Sequence, residues 1–175
     1  RCRQRTLGQG MTRLAVTGSS GFIGRRLVAR LRAGGHEVMA LDRVEPSHRI
    51  EGVHYLTGDL AEDLVRVEQA WQGQPWHLVH LAWPMARDPV WQPQAEAVLL
   101  LGKLLDRWQH GGPARLVVTG SAEEYGQRAG TLNEEHEPVL PLTPYGWAKR
   151  TAGLMARSWA ARLDRTLVWI RPFIV

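Results

Sequence analysis

Residues 14–27 read Leu-Ala-Val-Thr-Gly-Ser-Ser-Gly-Phe-Ile-Gly-Arg-Arg-Leu, and the order of residue types in this stretch decides the fold. A short apolar run, Leu14-Ala15-Val16, is followed by glycines at 18, 21 and 24, and an amphipathic stretch begins at Phe22 and continues to Leu31. That order predicts strand, glycine-rich turn, helix. Gly18 permits the sharp exit from the strand, Gly21 lets a pyrophosphate approach the backbone, and Gly24 lets helix and strand pack closely. The first N–H groups of the helix have no intrahelical partner and face an anion. Ser20, Phe22 and Ile23 complete the turn and join the three glycines as candidate cofactor-binding residues. The spacing, G-x-x-G-x-x-G, departs from the G-x-G-x-x-G fingerprint, and three glycines can also serve a purely structural turn. The rest of the chain has to separate the two.

At 175 residues the chain suits one domain with a buried core. Its 44% hydrophobic and 22% charged content is that of an ordinary soluble globular protein. The longest apolar candidate, 95–105, contains Lys103 and falls short of the roughly 20 residues that span a bilayer, so no membrane partner is expected. Of the +5 formal charge, Arg1, Arg3 and Arg5 supply three, leaving a dispersed +2; a nucleic-acid partner is not expected. Cys2 is the single cysteine, which excludes an intrachain disulfide and fits a reducing, cytoplasmic setting. The histidines at 36, 48, 54, 77, 80, 110 and 136 show no zinc-ligand spacing, so no metal site is expected. The chain opens on Arg, and Met11 is read as a natural start. Residues 1–12 are expected to form a disordered tail and 13–175 the domain. Phe173-Ile174-Val175 stops inside an apolar, strand-like run, so a domain truncated at its sixth strand is expected.

Beyond the first helix, Gly34-Gly35 stop it and residues 36–41 read as a second strand ending at Asp42. An acidic residue at that place accepts hydrogen bonds from the adenosine ribose and repels a 2′-phosphate, which favours NAD over NADP; the adjacent Arg43 keeps NADP open. Residues 53–56 read as a third strand, followed by Gly58-Asp59-Leu60 and a helix over 61–71. Asp59 can cap that helix or contact the adenine amino group, and the residues leave both readings open. Residues 78–81 read as a fourth strand, buried on both faces, with Leu81 and the small Ala82 where a cofactor would pass. His80, within it, reads as a packed core histidine. The Pro- and Trp-rich stretch 83–93 reads as a cofactor-side lid or a packed connection. A helix over 95–108 and a strand over 115–118 follow. Such β-α-β alternation predicts a doubly wound parallel sheet in a three-layer α/β/α, Rossmann-type arrangement. Ligands then lie beyond the carboxyl ends of the strands, where the turn, Asp42, Asp59 and Ala82 fall.

A second constellation follows the fifth strand. Thr119-Gly120-Ser121-Ala122-Glu123-Glu124-Tyr125-Gly126 leads into a polar loop with Glu134, Glu135, Glu137, Pro138 and Pro141. Pro144-Tyr145-Gly146-Trp147-Ala148-Lys149 then opens a helix to about residue 163. Tyr145 and Lys149 are four apart and share a helix face. A lysine ammonium beside the phenol is expected to lower its pKa from about 10 toward neutrality, making Tyr145 an acid/base. Ser121 can hold the same reacting oxygen by a hydrogen bond. Y-x-x-x-K alone is a weak pattern; its weight comes from following a glycine turn, an acidic strand end and a serine in that order.

Together these motifs resemble the cofactor-binding part of an extended short-chain dehydrogenase/reductase, of the NAD-dependent epimerase/dehydratase family. The resemblance covers about residues 13–175. It is carried by 17–24, Gly-Asp-Leu 58–60, His-Leu-Ala 80–82, Gly-Ser-Ala-Glu-Glu-Tyr-Gly 120–126, Pro-Tyr-Gly-Trp-Ala-Lys 144–149 and Arg-Pro-Phe 171–173. It implies a nicotinamide cofactor, a nucleotide-sugar substrate and a catalytic set of Ser121, Tyr145 and Lys149, with Lys149 also holding the nicotinamide ribose. Glu123 matches the base position of the family's dehydratases, while Ala122 replaces the aspartate many members place before it, which counts against a glucose-type 4,6-dehydratase. The 120–126 form is similar to GDP-4-keto-6-deoxymannose reductases and some epimerases. Trp76 stands where many members begin the fourth strand with Asp, Ala97 where an Asn is common, and Ile174 where Arg-Pro-Phe-Asn places a substrate-contacting Asn. The resemblance implies a substrate domain largely missing here, and a homodimer through helices 95–108 and 145–163, with a monomer as the alternative. Trp108 and Trp159 fit a core or an interface equally. The alternative to an enzyme is a non-catalytic dinucleotide-binding domain.

Overall fold

The computed structural model describes residues 11–84, 90–127, 130–133 and 140–173. In chain order these form β1 (Arg13–Thr17), α1 (Phe22–Ala33), β2 (Glu37–Asp42), β3 (Val53–Thr57), α2 (Leu60–Ala70), β4 (Trp76–His80), α3 (Trp91–Arg107), β5 (Arg115–Thr119), α4 (Pro144–Arg162) and β6 (Thr166–Ile170). All strand pairs are parallel, in the order β3-β2-β1-β4-β5-β6. The order in which strands are added reverses between β1 and β4, which opens the crevice where α/β sheets take ligands. Register sets what meets there. Thr17 pairs with Leu41 on one side and His80 on the other, so the glycine turn, Asp42 and Leu81 leave the sheet side by side.

Alternation along each strand divides the core in two. Ala15, Met39, Leu41, Leu78, Leu116 and Val118 face α2, α3 and α4. Val16, Val38, Ala40 and Val79 face α1, chiefly Val28. The layers are therefore unequal. Among the described helices α1 alone covers its face, and beside it Ile23, Leu27, Val79, Val117 and Ile170 line an apolar groove of about 310 Å³. On the other face, Trp71, Trp76, Trp108 and Trp159 form a continuous row with ring centroids 6.1, 6.4 and 6.4 Å apart. Such pairs add about 0.5–1.5 kcal/mol each beyond the area they bury. Trp108 and Trp159 are thus core residues, and Trp76 belongs to the same row.

Two boundaries differ from the sequence reading by more than one residue. β4 begins at Trp76 rather than 78, because Trp76 and His77 pair with Arg13 and Leu14. α3 begins at Trp91 rather than 95, with Pro93 inside it. A first-turn proline loses no intrahelical hydrogen bond, so Pro93 does not delay the helix. At the start of α4, Pro144 occupies the first helical position and the Thr143 hydroxyl accepts from Gly146 N–H at 3.0 Å.

Candidate functional site

Gly18 sits at φ +67°, where a side chain is strained, and a Cβ there would lie 2.7 Å from Ala82 N. The exits of β1 and β4 therefore touch. A Cβ on Gly24 would collide with the Gly18 carbonyl oxygen, so the first turn of α1 seats directly on the loop. Gly21 is open by contrast, meeting only that same oxygen at 3.2 Å. No side chain caps α1 and no acidic residue lies in its first turn, which leaves its positive end available to an anion. This cradle fits a pyrophosphate.

Asp42 closes the adjacent wall. Its Oδ2 accepts from Ser20 N–H and its Oδ1 from Arg43 N–H, both at 2.8 Å. The Ser20 hydroxyl donates to Val44 O at 3.1 Å, tying the loop after β2 to the turn. Phe22 and Ile23 are exposed at the start of α1, with the Arg26 guanidinium 4.1 Å above the Phe22 ring. At the end of β3, Asp59 Oδ1 accepts from Ala61 N–H (2.9 Å) and Glu62 N–H (3.3 Å), so its capping role is realised; Leu60 begins α2 and packs on the core.

Between these walls lies a buried polar knot. Thr17 Oγ1 accepts from Leu81 N–H and Ala82 N–H, both at 3.2 Å, and lies 2.9 Å from His80 Nδ1. Two donors already point at the hydroxyl, so its own proton goes to Nδ1, and His80 is neutral with its proton on Nε2. Burial, helped by the Lys149 charge, pushes the His80 pKa down to about 3. His80 is the packed core histidine its position suggests, and it takes no part as an acid or base near neutral pH.

The second constellation gathers at the ends of β5 and β6. Ser121 begins a short 3-10 turn, 122–125; its Oγ accepts from Glu123 N–H (3.1 Å) and its N–H donates to Glu124 Oε1 (3.0 Å). The Ser121 side chain lies beside Tyr145, near enough to act on its phenol as a hydrogen-bonding group. One turn along α4, the buried Lys149 donates to the Thr119 carbonyl at 2.6 Å, with its Nζ 5.7 Å from the Tyr145 ring centroid. Ser121, Tyr145 and Lys149 therefore do meet.

Their electrostatics reverse one expectation. The Tyr145 pKa is raised, first by burial, then by the charges of Glu123 and Glu124, against the Ser121 hydrogen bond that lowers it. Burial pushes Lys149 itself down to about 7, opposed by Glu124. The lysine that was expected to lower the phenol is itself short of charge at neutral pH, and its ammonium is directed at Thr119. In this arrangement Tyr145 is the protonated partner.

Glu123 and Glu124 have opposite fates. Glu123 is exposed and accepts from the Thr143 hydroxyl at 2.6 Å. Glu124 is buried: Oε1 also accepts from Trp169 Nε1 (2.9 Å), and Oε2 from Arg171 Nε (2.9 Å), whose Nη1 donates to Tyr125 (3.0 Å). Sequence reasoning passed over this network, because its partners lie 45 and 47 residues apart. The Thr143 cap was legible, since Thr before a first-turn proline is a helix-start signal. Glu134, Glu135, Glu137, Pro138, Ile174 and residues 85–89 of the proposed lid lie outside the described residues. Among the described residues no group of three or more His, Cys, Asp or Glu can hold a metal ion, and no helix is long and apolar enough to cross a membrane.

The family model for NAD dependent epimerase/dehydratase proteins matches residues 14–175. The chain is 33% identical over 146 residues to dTDP-6-deoxy-L-talose 4-dehydrogenase (NAD(P)(+)) of Kitasatospora kifunensis, covering 80% of this chain and 45% of that one. It is 32% identical over 168 residues to GDP-6-deoxy-D-mannose reductase of Pseudomonas aeruginosa, covering 92% and 51%. The solved structure of MoeE5 in complex with UDP-glucuronic acid and NAD matches with a TM-score of 0.75 at 31% identity, covering 90% and 52%. The chain thus spans about half the length of these relatives.

Proposed function

The chain belongs to the NAD-dependent epimerase/dehydratase family, and we propose on that basis that it binds NAD along the carboxyl edge of its sheet and serves hydride transfer at a carbon of a nucleotide sugar, with Tyr145 as the acid/base. One observation carries the reading: the open cradle at Gly21, the Asp42 carboxylate and the Ser121–Tyr145–Lys149 group all lie on that edge. The relatives named as sugar-nucleotide dehydrogenase and reductase, and a neighbour with NAD bound, support it.

When bound, the nicotinamide supplies or accepts the hydride. The N–H groups opening α1 hold the pyrophosphate. Asp42 accepts from the adenosine ribose and repels a 2′-phosphate, which favours NAD over NADP; Arg43 is the side chain on which NADP would rely. Gly18, Gly24, Leu81 and Ala82 shape the floor of the crevice, and Asp59 with Leu60 borders the adenine end. Ser121 holds the sugar oxygen. In the reducing direction a carbonyl carbon receives the hydride and Tyr145 gives its proton to the oxygen, leaving an alcohol and a phenolate. The raised pKa suits that direction, since it keeps Tyr145 protonated beforehand. Lys149 stabilises the phenolate that results. Glu123, held by Thr143, is the second carboxylate available on the sugar side.

Energy transfer from tryptophan to NADH tests binding, with NADH expected to bind more tightly than NADPH; no binding of either overturns the reading. In a version that spans the relatives' full length, Tyr145→Phe is expected to keep NADH affinity within about threefold while abolishing turnover of sugar nucleotides. Surviving turnover would remove Tyr145 as the acid/base. Tight NADH binding with no turnover of any sugar nucleotide by a version that spans the relatives' full length would favour a binding-only domain. We also propose self-association through α3 and α4, which pack on each other and expose Leu99 (59%) and Leu154 (50%). Sedimentation should show a dimer that Leu154→Glu dissociates.

A further inference from the structure

Lys149 is held by a residue that the proposed reaction does not use. Its Nζ lies 3.9 Å from the centroid of the Trp83 ring, closer than to Tyr145. That indole is itself anchored. Trp83 Nε1 donates to Gln94 Oε1 at 2.8 Å, and Gln94 Nε2 donates to Pro84 O at 3.3 Å. Gln94 lies in the first turn of α3 and is 1% exposed, so the amide has no solvent to turn toward. The exit of β4, the start of α3 and the face of α4 therefore converge on one ammonium group.

An amide-anchored ring beside a buried cation has a physical purpose. A cation in an apolar pocket loses its water, and the negative face of an indole replaces part of that solvation. The Thr119 carbonyl supplies one hydrogen bond along a single direction. The ring supplies attraction from a second direction, which fixes where Nζ sits. The other groups facing it are Tyr145 on its own helix, Glu124 from the turn after β5, and His80 from β4. His80 is neutral, and Glu124 already shares its charge with Arg171.

We propose that Trp83, fixed by Gln94, is a positioning residue that holds the Lys149 ammonium on the Thr119 carbonyl and keeps it cationic within the pocket. This deepens the proposed function, because a displaced or neutral Lys149 would not stabilise a Tyr145 phenolate. The geometric claim about Lys149 can be tested without any cofactor or substrate.

The chain has two lysines, Lys103 and Lys149, so selective ¹³Cε-lysine labelling gives two NMR signals, which Lys103→Arg assigns. Following the Lys149 signal against pH should give a midpoint near the value of about 7 set by its burial. Trp83→Leu keeps apolar cover and removes the ring face; the midpoint should fall by about one pH unit. Trp83→Phe should recover part of that fall. A midpoint in Trp83→Leu at or above the unaltered protein's overturns the proposal, since it would show that the indole acts by excluding water alone. If Trp83→Leu does not fold, comparison of Trp with Phe decides: an unchanged midpoint in Trp83→Phe overturns it. A parallel arm measures NADH affinity of Trp83→Phe across the same pH range. Absence of NADH binding alongside the expected NMR shift would count against the proposed function and leave the role of Trp83 standing.

Discussion

Glu124→Gln tests how the ends of β5 and β6 are held together. Glu124 and Arg171 form an ion pair at 2.9 Å with side chains only 1% and 6% exposed. The glutamine retains one carbonyl oxygen, which still serves the Ser121 N–H and the Trp169 indole, while its NH2 faces the guanidinium. What changes is charge: Arg171 is left cationic, buried and unpaired. Removing one partner of a buried pair costs about 3–5 kcal/mol. For a chain of this size each kcal/mol corresponds to about 2–4 °C, so the melting temperature should fall by about 6–20 °C. Adding Arg171→Met removes the stranded charge at the smaller cost of the Tyr125 hydrogen bond, about 1 kcal/mol. The double variant should therefore be more stable than Glu124→Gln alone. Urea unfolding followed by tryptophan fluorescence measures both. A single variant that loses less than about 1 kcal/mol, or a double variant no more stable than the single, refutes the reasoning.

Gly24→Ala places a Cβ against the Gly18 carbonyl and should cost about 1–3 kcal/mol while weakening NADH binding more than tenfold, because the turn must open to accept it; unchanged affinity in a titration would contradict the fit of turn and helix. His80→Asn addresses pH. The folded pKa of about 3 lies below the unfolded value of about 6.5, so the unfolded chain binds the extra proton between them. Stability from this site is complete above pH ~6.5 and is lost as pH falls toward 3, at about 1.4 kcal/mol per pH unit. The asparagine oxygen can still accept from Thr17, so its variant should unfold with a shallower acid limb in pH-dependent denaturation; an unchanged limb would mean that His80 is not the group responsible.

The parts of the site that could be read from the residues share a short range. Strand, turn and helix over 14–27 follow from a backbone conformation at Gly18, an absent Cβ at Gly24 and a periodic apolar face, all set within a few positions. The placement of Asp42 at a strand end and of Lys149 one turn beyond Tyr145 is equally local. Even the meeting of these pieces was foreseeable, because parallel β-α-β order sends every strand's carboxyl end to one edge. The start of α3 was misjudged for a local reason too: Pro93 looks like a stop until it is seen in a first turn.

Tertiary structure decided the rest. Glu123 and Glu124 are neighbours of one chemical type, yet one is exposed beside Thr143 and the other is buried under Trp169 and Arg171. Nothing near either residue distinguishes them; a strand 45 residues on does. The direction of the Tyr145 shift turned on the same kind of fact. A lysine four positions away is visible in the sequence, but the loss of water around both groups comes from packing, and burial raises the phenol's pKa while it lowers the lysine's. Trp83 met Lys149 only because β4, α3 and α4 close on one another. The sequence by itself determined which groups reach the edge of the sheet, through torsion angles and periodicity. Their charge states and partners were decided by the fold, because desolvation and long-range pairing depend on which distant segments exclude the water.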